Sequence, residues 1–432
     1  MTRIHRVVPL ALAALLGACD NETLIPPTAN PDLVDPLFAR YVAFGNSITA
    51  GIQSGGINDS TQMRSYPVLL AARMGTEFNV PLLNQPGCPP PFTNVFTQAV
   101  VGDPGPLGCA LRHPEVPDRL NNVAYPGAEV LEAITYFDDA INPSETDAFR
   151  TFLLGGHTPV EMARRVQPTF VTIWLGANDV LGAILDATNP GDPALVTPPA
   201  DFAASYAAFM DSLDAFGTIE GGAVIGVPHA VLAPYLTQGR VWKGFELQYD
   251  AATSPLNALN VTNACLASTP VPGSATDTAF VSVPFAVGGP ALALAQARVD
   301  SVLAGQLAPA SLQPAVIDCA VDAQVVTVAE VLNMLGAVTQ YNAAIETEVS
   351  ARGWVFVDPN PLLAQLGADT TAVRRFPAFP GTAAPSITVG QPFGSAFSLD
   401  GIHPSSSTHV IVAAALIQVI NLAYGTSIPA IN

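Results

Sequence analysis

Five short runs along the chain constrain its fold more than anything else in the sequence. Arg40–Phe44, Asn122–Tyr125, Phe170–Leu175, Ala223–Val227 and Trp354–Val357 are each rich in β-branched or aromatic residues and are closed by Gly, Pro or Asp. That is the pattern of strands ending in turns. Helical patterns lie between them, at Tyr66–Met74 and most clearly at Phe202–Phe216, Thr327–Ser350 and Ser405–Tyr424. Thr327 and Glu330 have the spacing of a capping box, in which each side chain satisfies a backbone donor at the other. Alternating strands and helices predict an α/β fold whose parallel sheet is covered on both faces. Between Pro228 and about Ala323 the alternation stops, and this proline-rich stretch reads as a large, loop-rich cap inserted into the core, at about residues 229–323. The helix over Ser405–Tyr424 holds the apolar run Val410–Ile417, but Gln418 and Asn421 interrupt it before membrane-spanning length, so a buried helix is expected.

The ends of the chain carry a second message. Arg3 and Arg6 precede an apolar run from Val7 to Leu16, too short to cross a bilayer, followed by Leu16-Gly17-Ala18-Cys19. Leu-Gly-Ala-Cys resembles the lipobox of bacterial lipoproteins, which implies a signal peptide over residues 1–18, cleavage after Ala18 and lipid modification of Cys19. Residues 19–36, with Pro26, Pro27 and Pro31, then read as a tether, and the folded domain as 37–432. The expected location is the bacterial cell envelope, lipid-anchored, with the membrane leaflet and the oligomeric state left open. Net charge is −19, and removing Arg3 and Arg6 takes it to −21. Such acidity, without a basic patch, argues against nucleic acid as a partner and leaves the acyl chains on Cys19 to hold the membrane.

An exported chain with four further cysteines, Cys88, Cys109, Cys265 and Cys319, points to two disulfides with three formal pairings. Cys88 with Cys109 and Cys265 with Cys319 are favoured, because each pair brackets a Pro/Gly-rich stretch. No CxxC or His-rich spacing suggests zinc, and no nucleotide loop appears, so no metal or cofactor is expected.

Four segments concentrate chemistry at strand ends. Gly45-Asn46-Ser47-Ile48-Thr49 follows the first strand directly, where an open α/β sheet presents its ligands. Asp400-Gly401-Ile402-His403-Pro404 precedes the last helix, and its spacing lets one loop supply an imidazole base and the carboxylate that orients it. Asn122-Val123-Ala124-Tyr125-Pro126-Gly127-Ala128 ends in a glycine whose amide suits a developing oxyanion, and Leu175-Gly176-Ala177-Asn178-Asp179 ends in an asparagine that is a neutral donor. One well-placed donor of this kind contributes about 2.7 to 4 kcal/mol.

In order and local sequence these segments resemble the GDSL/SGNH hydrolases, whose four named residues match Ser47, Gly127, Asn178 and His403. Gly-Asn-Ser-Ile stands where the family has Gly-Asp-Ser-Leu, and Asp-Gly-Ile-His-Pro matches its Asp-x-x-His block. The resemblance implies a flavodoxin-like three-layer α/β/α core. It also implies Ser47 as nucleophile, with Asp400 and His403 completing the triad, and an oxyanion hole built from the Ser47 amide, the Gly127 amide and the Asn178 side chain. Asn46 replaces the family's aspartate, which removes a charge beside the nucleophile but not the triad carboxylate. The missing second glycine of Gly-x-Ser-x-Gly argues against the α/β-hydrolase elbow. The remaining histidines, His113, His157, His229 and His409, are read as structural or solvated.

The expected activity is hydrolysis of carboxylic esters, of acyl lipids or acetylated glycans, through an acyl-enzyme. An acyltransferase needs the same constellation and stays open, as does a noncatalytic lipoprotein binding lipid or glycan through the cap.

Overall fold

The computed structural model describes residues 33–102, 112–113, 117–135, 148–271, 278–374, 376 and 391–431. Cys19 and Cys109 therefore lie outside the described residues. Four parallel strands form the central sheet: β1 (Tyr41–Gly45), β2 (Phe170–Trp174), β3 (Gly221–Ile225) and β4 (Val355–Val357), in the order β1-β2-β3-β4. Asn122 adds one parallel bridge to Ala43 on the free side of β1. Counting that segment as second in the chain, the spatial order is 2-1-3-4-5, the order of flavodoxin-like sheets.

The expected strand over Asn122–Tyr125 is thus reduced to a single bridge, and its asparagines explain why. The Asn121 side chain donates to the Tyr41 carbonyl at 2.7 Å, and the Asn122 side chain donates to the Thr49 carbonyl at 2.9 Å while accepting from the Ala124 amide at 3.2 Å. Side-chain bonds to backbone take the place of a ladder.

Successive strand residues point to opposite faces, and the core divides accordingly. Val42, Phe44, Val171, Ile173 and Val224 enter one apolar cluster with Phe202, Phe209, Val338 and Tyr341, from helices Pro199–Asp214 and Val328–Ala351. Tyr41, Ala43, Phe170, Trp174, Ala223 and Ile225 enter another, with Leu70 and Met74 of helix Tyr66–Met74 and Leu416 and Ile420 of helix Ser406–Tyr424. The result is a three-layer α/β/α core. Ser406–Tyr424 is long and apolar enough to cross a bilayer, yet Val412, Ala413, Leu416, Ile417 and Ile420 are buried against the sheet. The capping box of Thr327 and Glu330 is formed at the start of Val328–Ala351.

Between β3 and β4 the chain builds a third apolar cluster around Trp242, with Phe245, Tyr249, Val283, Leu292 and Ile317, joined from beyond β4 by Phe376 and Phe393. This segment is less loop-like than its composition suggests, because it contains helices Gly239–Thr253 and Phe285–Leu303. Cys265 and Cys319 form a disulfide across it, with Cα atoms 5.0 Å apart. Cys88 is also disulfide-bonded.

Candidate active site

The carboxyl ends of β1 and β2 lie side by side, with Gly45 in register with Trp174. Ser47 opens a short helix, Ser47–Ala50, directly beyond β1, and Asn178 opens helix Asn178–Leu185 beyond β2. The Asn122–Gly127 segment approaches from the other side of β1. This is the switch point of the sheet, where the chain departs to opposite sides and leaves a crevice above the strand ends.

The Asp400–His403 loop closes that crevice from above. The Ser47 hydroxyl lies 2.9 Å from His403 Nε2, and His403 Nδ1 lies 2.9 Å from Asp400 Oδ2. Asp400 accepts further hydrogen bonds from the Gly55 amide at 2.6 Å, from the Ile402 and His403 amides at 2.9 Å each, and from the Ser398 hydroxyl at 3.1 Å. Burial acts to raise its carboxyl, but the neighbouring His403 and these donors outweigh burial and hold it at about 2. An ionised carboxylate is acceptor-only, so Nδ1 carries the ring proton and Nε2 is left to accept from Ser47.

The loop after Ser47 is locked to the same loop. The Ser54 amide donates to the Ser398 hydroxyl at 2.7 Å, and the Leu399 amide donates to the Ser54 hydroxyl at 3.2 Å. The Gln53 side chain accepts from the Ser406 hydroxyl at 2.8 Å. The inserted segment touches it too, through the Tyr235 amide and the Gly401 carbonyl at 3.0 Å.

On the other side of Ser47, the Asn178 side-chain amide donates to the Ala128 carbonyl at 2.9 Å, which ties it to the Gly127 turn. Gly127 has φ +88°, a left-handed conformation that L side chains rarely adopt, and a Cβ there would meet open space. The structure therefore brings Ser47, Asp400 and His403 into one hydrogen-bonded chain and sets Gly127 and Asn178 in neighbouring, mutually bonded segments.

Two residues without an assigned role in the sequence support this arrangement. Asn122 links the Ser47 turn to the Gly127 segment, through the Thr49 carbonyl and the Ala124 amide. Asp179 accepts from the Val130 amide at 3.2 Å, just beyond Gly127, and burial raises its carboxyl to about 7. Both are adjacent to motif residues, but only the contacts reveal their part.

His409 lies fully buried in the last helix, where Nδ1 accepts from the Tyr66 amide at 3.2 Å. Burial, followed by the nearby His403, pushes it down to about 3, so it is a neutral structural residue. His157 pairs with Glu161 at the surface, at 3.5 Å. Among the described residues no group of three or more His, Cys, Asp or Glu side chains is placed to hold a metal ion.

Residues 41–227 match the family model of the GDSL-like lipases/acylhydrolases, a stretch that includes Ser47, Gly127 and Asn178 and ends before Asp400 and His403. No curated protein matches the chain in sequence. Among solved structures, the chain is similar to a catalytic mutant of an acetylxylan esterase from Geobacillus stearothermophilus, at 11% identity, covering 88% of this chain and 93% of that one, with a TM-score of 0.33. It is also similar to an extracellular lipase from Streptomyces rimosus, at 14% identity, 89% and 98% coverage, and a TM-score of 0.34.

Proposed function

We propose that this ester hydrolase, whose residues 41–227 match the GDSL-like lipase/acylhydrolase family model, works by two-step acyl transfer with Ser47 as nucleophile, His403 as general base and Asp400 as the carboxylate that orients the base. The observation that carries this reading is the unbroken chain from the Ser47 hydroxyl through both ring nitrogens of His403 to Asp400.

Ser47 Oγ attacks the ester carbonyl carbon while its proton passes to His403 Nε2. The carbonyl oxygen becomes an oxyanion, received by the amides of Ser47 and Gly127 and by the Asn178 side chain. The tetrahedral adduct collapses by breaking the ester C–O bond, and His403 returns the proton to the departing alcohol oxygen. Water then attacks the acyl-enzyme, gives one proton to His403 and releases the acid, and that proton goes back to Ser47 Oγ. The imidazolium formed twice in each cycle sits against an ionised Asp400, which favours both steps in the same way.

The proposal extends to the cell. The lipobox-like Leu16-Gly17-Ala18-Cys19 supports export and acylation at Cys19, and a disulfide between Cys265 and Cys319 fits an oxidising compartment outside the cytoplasm. Residues 229–323 would serve as a cap, a role supported by the contact between Tyr235 and the His403 loop.

Treatment with a fluorophosphonate probe, followed by peptide mapping, tests the nucleophile. Labelling should fall on Ser47, and Ser47→Ala should lose several orders of magnitude of ester turnover. Labelling elsewhere in folded protein, or a Ser47→Ala variant that keeps most of its activity, refutes the assignment.

A further inference from the structure

An apolar cavity of about 120 Å³ is lined by immediate chain neighbours of Ser47, Asn178 and His403, though not by those three residues themselves. Its near wall is made of chain neighbours of the reacting groups: Ile48 follows Ser47, Ala177 precedes Asn178, and Ile402 precedes His403. Its far wall is Leu362, Leu363 and Leu366, from helix Asn360–Ala368.

That helix contains no fully buried residue, so its leucines are not used in the core. They are half-buried and face the cavity. The start of the helix is fixed to the end of β3, where the Asn360 side chain accepts from the His229 amide at 2.8 Å and donates to the Val227 carbonyl at 3.1 Å. Among the described residues no Asp, Glu, Lys or Arg lines the cavity. His229 is the one titratable residue among the described wall residues, and burial lowers that imidazole, which favours its neutral form. The hydroxyl of Thr408, also in the lining, is already given to the Ala396 carbonyl at 2.7 Å.

We propose that this cavity is an acyl-chain site, so that the natural substrate is an ester of a linear acyl group several carbons long. The inference rests on Ser47 being the nucleophile. The described walls offer a sugar few side-chain partners, Trp174 Nε1 and His229 Nδ1 being unpaired but themselves buried, so most of its hydroxyls would be left unpaired there. An acetyl group would leave the leucine wall unused. The acyl group, unlike the alcohol, stays attached to Ser47 through the second step, and an apolar cavity that begins at Ile48, the next residue, suits the part that remains while the alcohol leaves and water enters. Helix Asn360–Ala368 lies outside the stretch matched by the family model, so this specificity belongs to the later part of the chain.

The test is kcat/KM on p-nitrophenyl esters from acetate to decanoate, beside a series of alkyl acetates, with Ser47 labelling measured in the same preparation. With the acyl series, kcat/KM should rise about fourfold per added methylene until the cavity is filled. Leu363→Trp should lower the octanoate-to-acetate ratio by about tenfold or more, and Leu363→Ala should move the optimum to longer chains. A flat acyl profile in protein that labels at Ser47 and cleaves acetate overturns the acyl site and leaves the serine mechanism standing. A rise confined to the alkyl acetates also overturns it, by giving the cavity to the alcohol. If no ester is cleaved and Ser47 does not label, the serine mechanism has failed, and binding of the free acids then decides the cavity. Decanoate should bind more tightly than butanoate and lose that advantage in Leu363→Trp; equal affinities refute the site.

Discussion

Replacing Asp400 by Asn separates the charge of this residue from its shape. Oδ1 receives the Ser398 hydroxyl and the Ile402 and His403 amides, while Oδ2 receives the Gly55 amide and His403 Nδ1. An asparagine has one oxygen to offer. If that oxygen keeps the three donors of Oδ1, its NH₂ group faces Gly55 and the imidazole, and the ring must accept there, which moves its proton to Nε2. Nε2 then no longer accepts from Ser47, and the expected fall in kcat is about ten-thousandfold, as for the equivalent change in other serine triads. Stability should fall as well. The carboxyl is held at about 2 against an ordinary value of 3.8, a difference worth about 2 kcal/mol. Because the folded-state value is depressed, this contribution is complete above the unfolded value near 4 and disappears as pH falls towards 2. Urea unfolding of both proteins, followed by tryptophan fluorescence, should show a stability gap at pH 7 that narrows markedly by pH 3. Turnover of the variant within tenfold of the parent refutes the orienting role of Asp400. A gap that does not change with pH refutes the electrostatic account.

Asp179 carries the opposite sign: its buried carboxyl is raised to about 7, so stability declines as pH rises from about 4 to 7, by at most about 4 kcal/mol. Thermal unfolding of Asp179→Asn should therefore gain on the parent between pH 5 and pH 8, and a constant difference refutes it. Expression in a bacterial host with an alkynyl fatty acid should label the exported protein, and Cys19→Ser should abolish both the label and retention in the membrane fraction. A Cys19→Ser protein that still labels and sediments with membranes removes the anchor.

The layers of the fold are legible from sequence because their causes are local and periodic. Alternation along Tyr41–Gly45 and Phe170–Trp174 assigns each side chain to a face before any packing is known. Capping chemistry at Thr327 sets a helix boundary in the same way. The inserted segment is harder, since its order comes from contacts between distant residues. Gly288, Gly289 and Pro290 are all poor helix formers, yet they lie within helix Phe285–Leu303. A Cβ on Gly288 would fall 2.1 Å from the ring of Trp242, so the glycine is required by a side chain far away in sequence. No local pattern encodes that requirement.

The site divides along the same line. Ser47, Asn178, Asp400 and His403 occupy turns at strand ends or before a helix, where short motifs write chemistry and backbone geometry together. Asn122 and Asp179 act through bonds to Thr49 and to Val130, 73 and 49 residues away. Their effect is to hold the Ser47 turn, the Gly127 turn and the Asn178 helix at fixed relative positions, which the proposed oxyanion site requires because its donors stabilise the transition state only when they need no rearrangement. The acyl cavity extends this dependence: its leucines, near residue 363, belong to a helix whose only pattern is modest apolarity, and they matter because Asn360 fixes that helix to the end of β3. Reaction type therefore follows from turn motifs, whereas substrate choice follows from where tertiary contacts place an otherwise unremarked helix.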